Sequence, residues 1–287
     1  MNNISSEPFL SGYTYRHLAG QAICDNADTH YMKSTCKGIN PDTVYDNELL
    51  YVTGNQTKRF FKEIAPKIKS KFSVITAQTD LGVDASYIEL LPDNLVAWWS
   101  INVHVDHPKI NSIPLGLQNL HWRWDGNIQS SPDTYKKFRG VEKTKTVIGS
   151  FSIGNNQPER LACLKAAQKI NCDLRMFHPQ DRQNEHYVLD YFNQVSQYKF
   201  TLCPWGAGID THRLWESLYL SSIPITRYHK VYEVFKDYPI VFLDDWSELE
   251  GLDFEDTYYR NKQKLETENR IYFEHWKDRI LNGNSET

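Results

Sequence analysis

The second half of the chain alternates between short apolar runs and amphipathic segments, and this alternation restricts the fold more than any other feature. Residues 146–152 (TVIGSFS), 173–178 (DLRMFH) and 198–204 (YKFTLCP) are typical of buried strands. Residues 158–170 and 210–221 have helical spacing, and a proline stands near the start of the first of them. Strands that alternate with helices in this way predict a doubly wound parallel sheet, so the fold class is α/β.

The first half also carries apolar strand-like runs, and a polar stretch separates it from the second. Residues 72–77 (FSVITA), 95–102 (LVAWWSIN) and 110–117 (INSIPLGL) are predicted strands, and residues 58–69 have the apolar spacing of a helix. Residues 124–145 are polar and contain glycine and proline, which favours a linker. We therefore predict an N-terminal domain over 1–143, a C-terminal domain over 144–257 and a C-terminal helix over 258–287 that packs back on the first domain.

The charge balance and the distribution of apolar residues exclude some partners. The net charge is −4, so no basic excess indicates a nucleic acid or an anionic membrane surface. No run of about 18 apolar residues predicts a membrane span, and the first residues lack the pattern of a signal peptide. We expect a soluble protein with neither nucleic acid nor membrane as a partner.

The five cysteines contain no Cys-x-x-Cys pair, and their number is odd. A zinc site or a disulfide framework is therefore not expected, and free thiols indicate a reducing compartment. The predicted location is the cytoplasm, of the cell itself or of an infected host. The positions are Cys24, Cys36, Cys163, Cys172 and Cys203.

The segment KFTLCPWGAGIDTHRLWESLYLSSIPI carries the richest chemistry. A strand ends at Pro204, and the loop that follows contains Gly206 and Gly208, which permit close approach of the backbone to a ligand. Asp210 or Thr211 is suited to cap the next helix. Unpaired N–H groups and the positive end of that helix then form an anion site.

Two charged residues follow within the first turns of that helix. Arg213 opposes the helix dipole unless it faces an anion, and a guanidinium grips a phosphate through two parallel hydrogen bonds. Glu216 lies on the same helix face and can accept hydrogen bonds from ribose hydroxyls. The alternative is that the two residues form an ion pair on the helix surface.

Ligands of open α/β sheets bind beyond the carboxyl ends of the strands, which adds three candidates to the site. Ser150 lies at the end of one predicted strand, and His178 ends another, where it can border a nucleobase. Trp205 can stack on a base or a sugar, or can belong to the core.

The same segment resembles the signature of exostosin-type glycosyltransferases and their bacterial and viral relatives. That signature is an apolar strand, Pro, a glycine loop, Arg-x-x-Glu and a small-Ile-Pro turn, here LCPWGAG…DTHRLWESLYLSSIPI. ITAQTD (75–80), HPKINSIPLGL (107–117) and GSFSIGNNQPER (149–160) resemble further blocks of the family. The resemblance implies the GT-B architecture, in which two Rossmann-like domains face a central cleft. It also implies a nucleotide-sugar donor in the C-terminal domain, an acceptor in the N-terminal domain, inversion at the anomeric carbon and no obligatory metal.

The sequence offers no Asp-x-Asp metal motif at a strand end, and we interpret Asp244 and Asp245 as a surface turn. Without a metal, protein cations have to neutralise a diphosphate leaving group. Arg213 and the helix N-terminus are two such groups, and Arg160, near the start of the first helix of the C-terminal domain, is the candidate for a third. Its alternative is a solvated surface arginine. No metal or resident cofactor is predicted, only a UDP-linked sugar as co-substrate.

An inverting transfer needs one group that removes the proton of the acceptor hydroxyl. Asp80 directly follows the FSVITA strand, where a residue reaches the carboxyl edge of the sheet, and the family resemblance points to the same residue. Asp84, His104 and His107 are the alternatives, although an aspartate at a strand end is often a turn former and His107 precedes a proline.

These observations predict an inverting, metal-independent glycosyltransferase that moves a hexose or a pentose from a UDP-sugar to a glycan or glycoprotein hydroxyl. Small viral relatives of the family make xylose one candidate sugar. A nucleotide-dependent oxidoreductase or epimerase is an alternative, but its Gly-x-Gly-x-x-Gly turn fails here because Thr211 stands at the third glycine position. A non-catalytic carbohydrate-binding protein would also use aromatic residues, yet such proteins are usually all-β.

Overall fold

The computed structural model describes residues 9–25, 36–118, 132–176 and 185–283 of the chain. The chain divides into two compact units, an N-terminal unit of Met1–Leu115 with Tyr272–Thr287 and a C-terminal unit of Gly116–Ile271. The first division lies upstream of residue 143 because the helix at Pro132–Arg139 belongs to the C-terminal unit. There the ring of Tyr135 lies 4.9 Å from that of Phe192. The polar stretch that the sequence predicts as a linker therefore contains a residue that makes an aromatic contact with the C-terminal unit.

The N-terminal unit contains one parallel sheet of five strands whose spatial order follows the sequence. The strands are β1 (Gln21–Ile23), β2 (Glu48–Thr53), β3 (Phe72–Ala77), β4 (Leu95–Ser100) and β5 (Ile110–Ser112). Helix α1 (Gly12–Leu18) precedes the sheet, and α2 (Thr57–Arg59) continues into a π-helical turn at Phe60–Ile64. Short 3₁₀ turns occupy Pro41–Thr43, Gly54–Gln56, Ala65–Lys67 and Ala85–Leu90.

The core of this unit forms between the sheet and the turns that follow β2. Phe60 and Phe61 are fully buried, and the ring of Phe61 lies 4.6 Å from that of Trp98 on β4. The apolar face predicted for residues 58–69 is therefore buried. The regular helix predicted there is broken into short turns, because Pro66 has no backbone N–H to donate.

The C-terminal unit contains a second parallel sheet of five strands, in the order β10-β9-β8-β6-β7. Its strands are β6 (Lys145–Phe151), β7 (Asp173–Met176), β8 (Tyr198–Leu202), β9 (Ile223–Arg227) and β10 (Val241–Leu243). The chain runs from β6 outward to β7 and then returns to the other side of β6 to form β8. This reversal is a topological switch point of a doubly wound sheet, next to which such folds bind ligands.

The described helices of the C-terminal unit lie before, between and after its strands. They are α3 (Pro132–Arg139), α4 (Gln157–Ala167), α5 (Glu185–Val195), α6 (His212–Tyr219) and α7 (Phe254–Thr267), with 3₁₀ turns at Lys230–Phe235 and Trp246–Gly251. The α/β class with two parallel sheets is thus confirmed. The described strands place the reversal of strand order in the C-terminal sheet, whereas the order of the N-terminal sheet is sequential.

The predicted C-terminal helix consists of two helices that belong to different units. Helix α7 ends at Thr267, and α8 (Phe273–Asn282) lies in the N-terminal unit. Glu268 interrupts the helix, and its buried carboxylate binds Arg270 at 2.6 Å. The hydroxyl of Tyr219 donates to the carbonyl of Ile271 at 2.5 Å, which fixes the chain before it leaves the unit. Among the described helices, none combines the length and the apolar character that a membrane span requires.

The expectation that all five cysteines are free thiols is wrong, because Cys24 and Cys36 form a disulfide with their Cα atoms 5.8 Å apart. Gly38 bridges to Ala22 of β1, and its N–H donates to the Ala22 carbonyl at 3.0 Å. This pairing brings the two cysteines together, although their spacing in the sequence gives no sign of it. The cysteines therefore no longer indicate a reducing compartment.

Candidate functional site

The candidate site lies at the carboxyl ends of β6 and β8, on either side of the topological switch point. The loop after β6 contains Asn156, whose amide donates to the carbonyl of Gly206 in the loop after β8, at 3.0 Å. The N–H of Gly206 in turn donates to the carbonyl of Gly208 at 2.9 Å, which folds the glycine loop back on itself. Two loops that the sequence places 50 residues apart thus form one surface.

Arg160 forms hydrogen bonds to the same two loops. Its Nη1 donates to the carbonyl of Ser152 at 2.6 Å, and its Nε donates to the carbonyl of Trp205 at 2.9 Å. The side chain is buried, and a Cβ placed on Gly206 would lie 3.1 Å from its Nη2. Arg160 therefore connects the two loops through hydrogen bonds, and it places a positive charge next to the glycine loop.

Helix α6 begins at His212, and Thr211 is its N-cap residue with extended backbone angles. Arg213 is the second residue of the helix, as the sequence predicts. No described residue forms an ion pair with Arg213, so the alternative of a surface pair with Glu216 does not hold within the described chain. The guanidinium thus stands at the positive end of a helix dipole, where a cation is unfavourable unless an anion faces it.

Three buried polar atoms at this edge lack a hydrogen-bond partner among the described residues. They are Oγ of Ser150, at the end of β6, Oγ1 of Thr211 and Nε of Arg213. A buried polar group without a partner costs about 1–3 kcal/mol, and native proteins contain few of them. Such a group can be satisfied by a polar ligand or by an ordered water, and three of them lie at this one edge of the sheet.

Two carboxylates beside this edge are buried. Glu216 is 4% exposed, and its Oε2 accepts a hydrogen bond from the hydroxyl of Tyr191 at 3.4 Å. Asp210 accepts from Nε1 of Trp215 through both oxygens, at 2.9 and 3.0 Å. Asp210 therefore fastens the end of the glycine loop to α6, while Thr211 takes the capping position.

This contact predicts a stability effect. Replacing Asp210 with alanine leaves the buried indole N–H of Trp215 without its acceptor, so we expect the free energy of unfolding to fall by about 2 kcal/mol. Urea unfolding followed by circular dichroism measures the change. The double variant with Trp215→Phe removes both partners and should show a non-additive loss; strict additivity would contradict the interaction.

Trp205 and its neighbours form a network that the sequence does not reveal. The indole Nε1 of Trp205 donates to the carbonyl of Arg227 at 3.2 Å, and the Arg227 guanidinium lies 4.9 Å from the centre of the ring. Arg227 also forms an ion pair with the buried carboxylate of Glu159 at 2.9 Å. The same carboxylate accepts a hydrogen bond from Nε1 of Trp246 at 2.9 Å. Sequence reasoning missed this network because its members come from separate elements.

Two further candidates from the sequence remain. Pro204 is buried at the end of β8, and His178 lies outside the described residues.

The candidates for the base belong to the N-terminal unit. Asp80 is exposed, three residues after β3, and no described residue hydrogen-bonds to its carboxylate. Asp84 instead caps the turn at Ala85–Leu90 by accepting from the N–H of Ser86 at 2.9 Å, and hydrogen bonds from Ser86 lower its pKa. His107 accepts from the N–H of Lys109 through Nδ1 at 3.2 Å, as a turn residue does. Burial lowers the pKa of His104, and the charge of Asp84 opposes this shift.

The described residues contain no group of three or more His, Cys, Asp or Glu side chains arranged to hold a metal ion. Asp245 caps the turn at Trp246–Gly251, where its Oδ1 accepts from the N–H of Ser247 at 2.9 Å. Asp244 and Asp245 thus lie at a surface turn, as the sequence predicts.

Known proteins resemble the chain only distantly. No protein-family model and no curated protein matches it. The pneumococcal O-GlcNAc transferase GtfA, solved with UDP and GlcNAc, is similar with a TM-score of 0.42 and 11% identity over 90% of this chain. An alpha1,3-fucosyltransferase is similar with a TM-score of 0.42 and 14% identity over 88% of this chain and 80% of its own.

WaaG, a glycosyltransferase involved in lipopolysaccharide biosynthesis, has a TM-score of 0.38 and 10% identity over 89% of this chain and 81% of its own. This chain spans 60% of the length of the O-GlcNAc transferase. Because these similarities are low, the chemistry assigned to this chain depends on its own residues.

Proposed function

We propose that this chain is a glycosyltransferase of the GT-B class that binds a UDP-sugar at the carboxyl edge of its C-terminal sheet. One observation supports this proposal most strongly. Ser150, Thr211 and Arg213 place buried polar atoms without described partners around the topological switch point, where α/β sheets bind nucleotides. Two hydroxyls and a guanidinium beside a helix N-terminus fit a diphosphate.

In this proposal the diphosphate lies against the start of α6. Arg213 binds its oxygens, and Gly206 and Gly208 allow the backbone of the loop to approach the ligand because glycine has no side chain. Arg160 adds positive charge next to the glycine loop. Together with the helix N-terminus, these groups stabilise the negative charge that grows on the leaving UDP, without a metal. Glu216 accepts hydrogen bonds from the ribose.

The transfer itself is a displacement at the anomeric carbon. Asp80 takes the proton from a hydroxyl of a glycan or glycoprotein acceptor, and that oxygen forms a bond to the anomeric carbon. The bond from this carbon to the β-phosphate oxygen breaks, and UDP leaves with the electron pair. Attack opposite the leaving group inverts the configuration. The transferred sugar is a hexose or a pentose, with xylose as one candidate.

A transfer assay tests the proposal. The protein is incubated with individual UDP-sugars and a panel of oligosaccharide acceptors, with and without EDTA. Release of UDP and the anomeric configuration of the product are measured, the latter by NMR. We expect transfer that EDTA does not reduce and a β-linked product from an α-linked donor. An α-linked product would contradict inversion, and activity lost in EDTA would contradict the metal-free mechanism.

A further inference from the structure

We propose that Asn55 is a positioning residue that holds the loop of Asp80 in place for proton transfer. This inference rests on the proposed function and concerns the same reaction. A base accelerates transfer only when it lies within hydrogen-bond reach of the hydroxyl that it deprotonates. The loop that carries Asp80 must therefore be held, while its carboxylate stays open to the acceptor.

A chain of hydrogen bonds leads from Asn55 to both neighbours of Asp80. The amide oxygen of Asn55 accepts from the hydroxyl of Thr79 at 3.1 Å. The same hydroxyl oxygen accepts from the backbone N–H of Leu81 at 3.1 Å. Thr79 and Leu81 flank Asp80, so these two bonds fix the backbone on either side of it.

The other end of Asn55 is anchored in the fold. Its amide nitrogen donates to Oδ2 of Asp25 at 3.3 Å, which sets the orientation of the amide and thus directs its oxygen to Thr79. The backbone N–H of Asp25 donates to the hydroxyl of Thr53, at the end of β2, at 3.3 Å. Asp25 also follows Cys24, which the disulfide to Cys36 ties to the neighbouring segment.

The packing around the loop agrees with a held conformation. A Cβ placed on Gly54 would lie 2.0 Å from the methyl group of Thr79, so the absence of a side chain at Gly54 lets Thr79 sit there. Gln78 has a φ angle of 61°, a left-handed conformation that costs free energy in a residue other than glycine. Such a conformation persists where the surroundings impose it, and it is frequent at functional sites.

The solvent exposure of this network allows an effect on the position of Asp80 to be distinguished from an effect on the stability of the fold. Asn55 is exposed and Thr79 is half-buried, so the hydrogen bond between them contributes little to the free energy of unfolding. Variants should therefore fold normally and differ from the wild type in the placement of Asp80.

The test compares Asn55→Ala, Thr79→Val and Thr79→Ser in the full chain. We expect Asn55→Ala and Thr79→Val to lower kcat about tenfold, with the UDP affinity and the thermal midpoint unchanged, because a displaced base slows proton transfer. Thr79→Ser keeps the hydroxyl and should keep kcat within about twofold of the wild type. Hydrogen exchange of the segment that contains Leu81 should accelerate in the first two variants and not in Thr79→Ser.

A double-mutant cycle links the network to the base. In an Asp80→Asn background, Asn55→Ala should have no further effect on kcat, because the group that it positions has already been removed. Unchanged exchange, or an unchanged kcat in Asn55→Ala, would overturn the role of Asn55, as would effects that multiply in the double variant. A wild-type chain that transfers no sugar would instead overturn the proposed function, whatever the exchange rates show.

Discussion

Replacing Asp80 with asparagine is expected to lower kcat by about a thousandfold, because asparagine has almost the same shape but cannot accept the proton of the acceptor hydroxyl. The affinity for UDP should not change, since Asp80 belongs to the N-terminal unit and the proposed donor residues belong to the C-terminal unit. Steady-state rates at saturating donor and acceptor measure the first effect, and calorimetric titration with UDP measures the second. A loss in kcat with unchanged UDP affinity identifies a defect in the chemical step.

Asp93→Asn is the matched control. Asp93 is exposed in the turn before β4, at the amino edge of the same sheet, and it is the backbone carbonyl of Asp93 that accepts from Lys109. The substitution removes the same charge from the N-terminal unit and should leave kcat unchanged. A near-normal rate for Asp80→Asn, or an equal loss in Asp93→Asn, would show that Asp80 is not the base.

Replacing Arg213 with alanine is expected to weaken UDP binding by about 10- to 100-fold, because hydrogen bonds to a charged partner contribute about 1.5–3 kcal/mol each. Arg213→Lys keeps the charge but loses the planar fork, so its affinity should lie between those of the wild type and Arg213→Ala. The ligand-free protein should not lose stability, since no described residue hydrogen-bonds to the buried Nε of Arg213. Calorimetric titration with UDP and urea unfolding measure the two quantities.

Arg260→Ala controls for the loss of one positive charge. Arg260 is exposed on α7 and pairs with Asp256 at 2.5 Å, one turn earlier on the same helix. Such a surface pair contributes less than about 1 kcal/mol, so UDP affinity and stability should both stay close to those of the wild type. Equal UDP affinity in Arg213→Ala and the wild type would remove Arg213 from the phosphate site.

The strands of the C-terminal unit could be predicted because their signal is local. The run YKFTLCP predicts a buried strand over residues 198–204, and the structure has β8 at Tyr198–Leu202. Apolar runs of this kind mark parallel strands covered on both faces, whatever the rest of the chain does. The disulfide of Cys24 and Cys36 has no such signal, because it depends on the pairing of Gly38 with β1.

The candidate site shows the same difference between features with a local sequence signal and features that depend on tertiary contacts. The position of Arg213 in the first turn of α6 could be predicted, since the cap, the turn and the apolar spacing all lie within a few residues. The contacts of Arg227 with Trp205 and Glu159 could not, because they join the ends of different elements. Tertiary pairs of this kind depend on which strands become neighbours, and composition or spacing does not encode that choice.

The central claim is that the carboxyl edge of the C-terminal sheet binds a nucleoside diphosphate. The measurement that tests it most directly is the thermal midpoint of the wild type and of Arg213→Ala with UDP, with a panel of UDP-sugars and with EDTA present throughout. The account predicts that UDP and at least one UDP-sugar raise the midpoint of the wild type, and that Arg213→Ala loses most of this shift. No shift with millimolar UDP, or the same shift in both proteins, would contradict it.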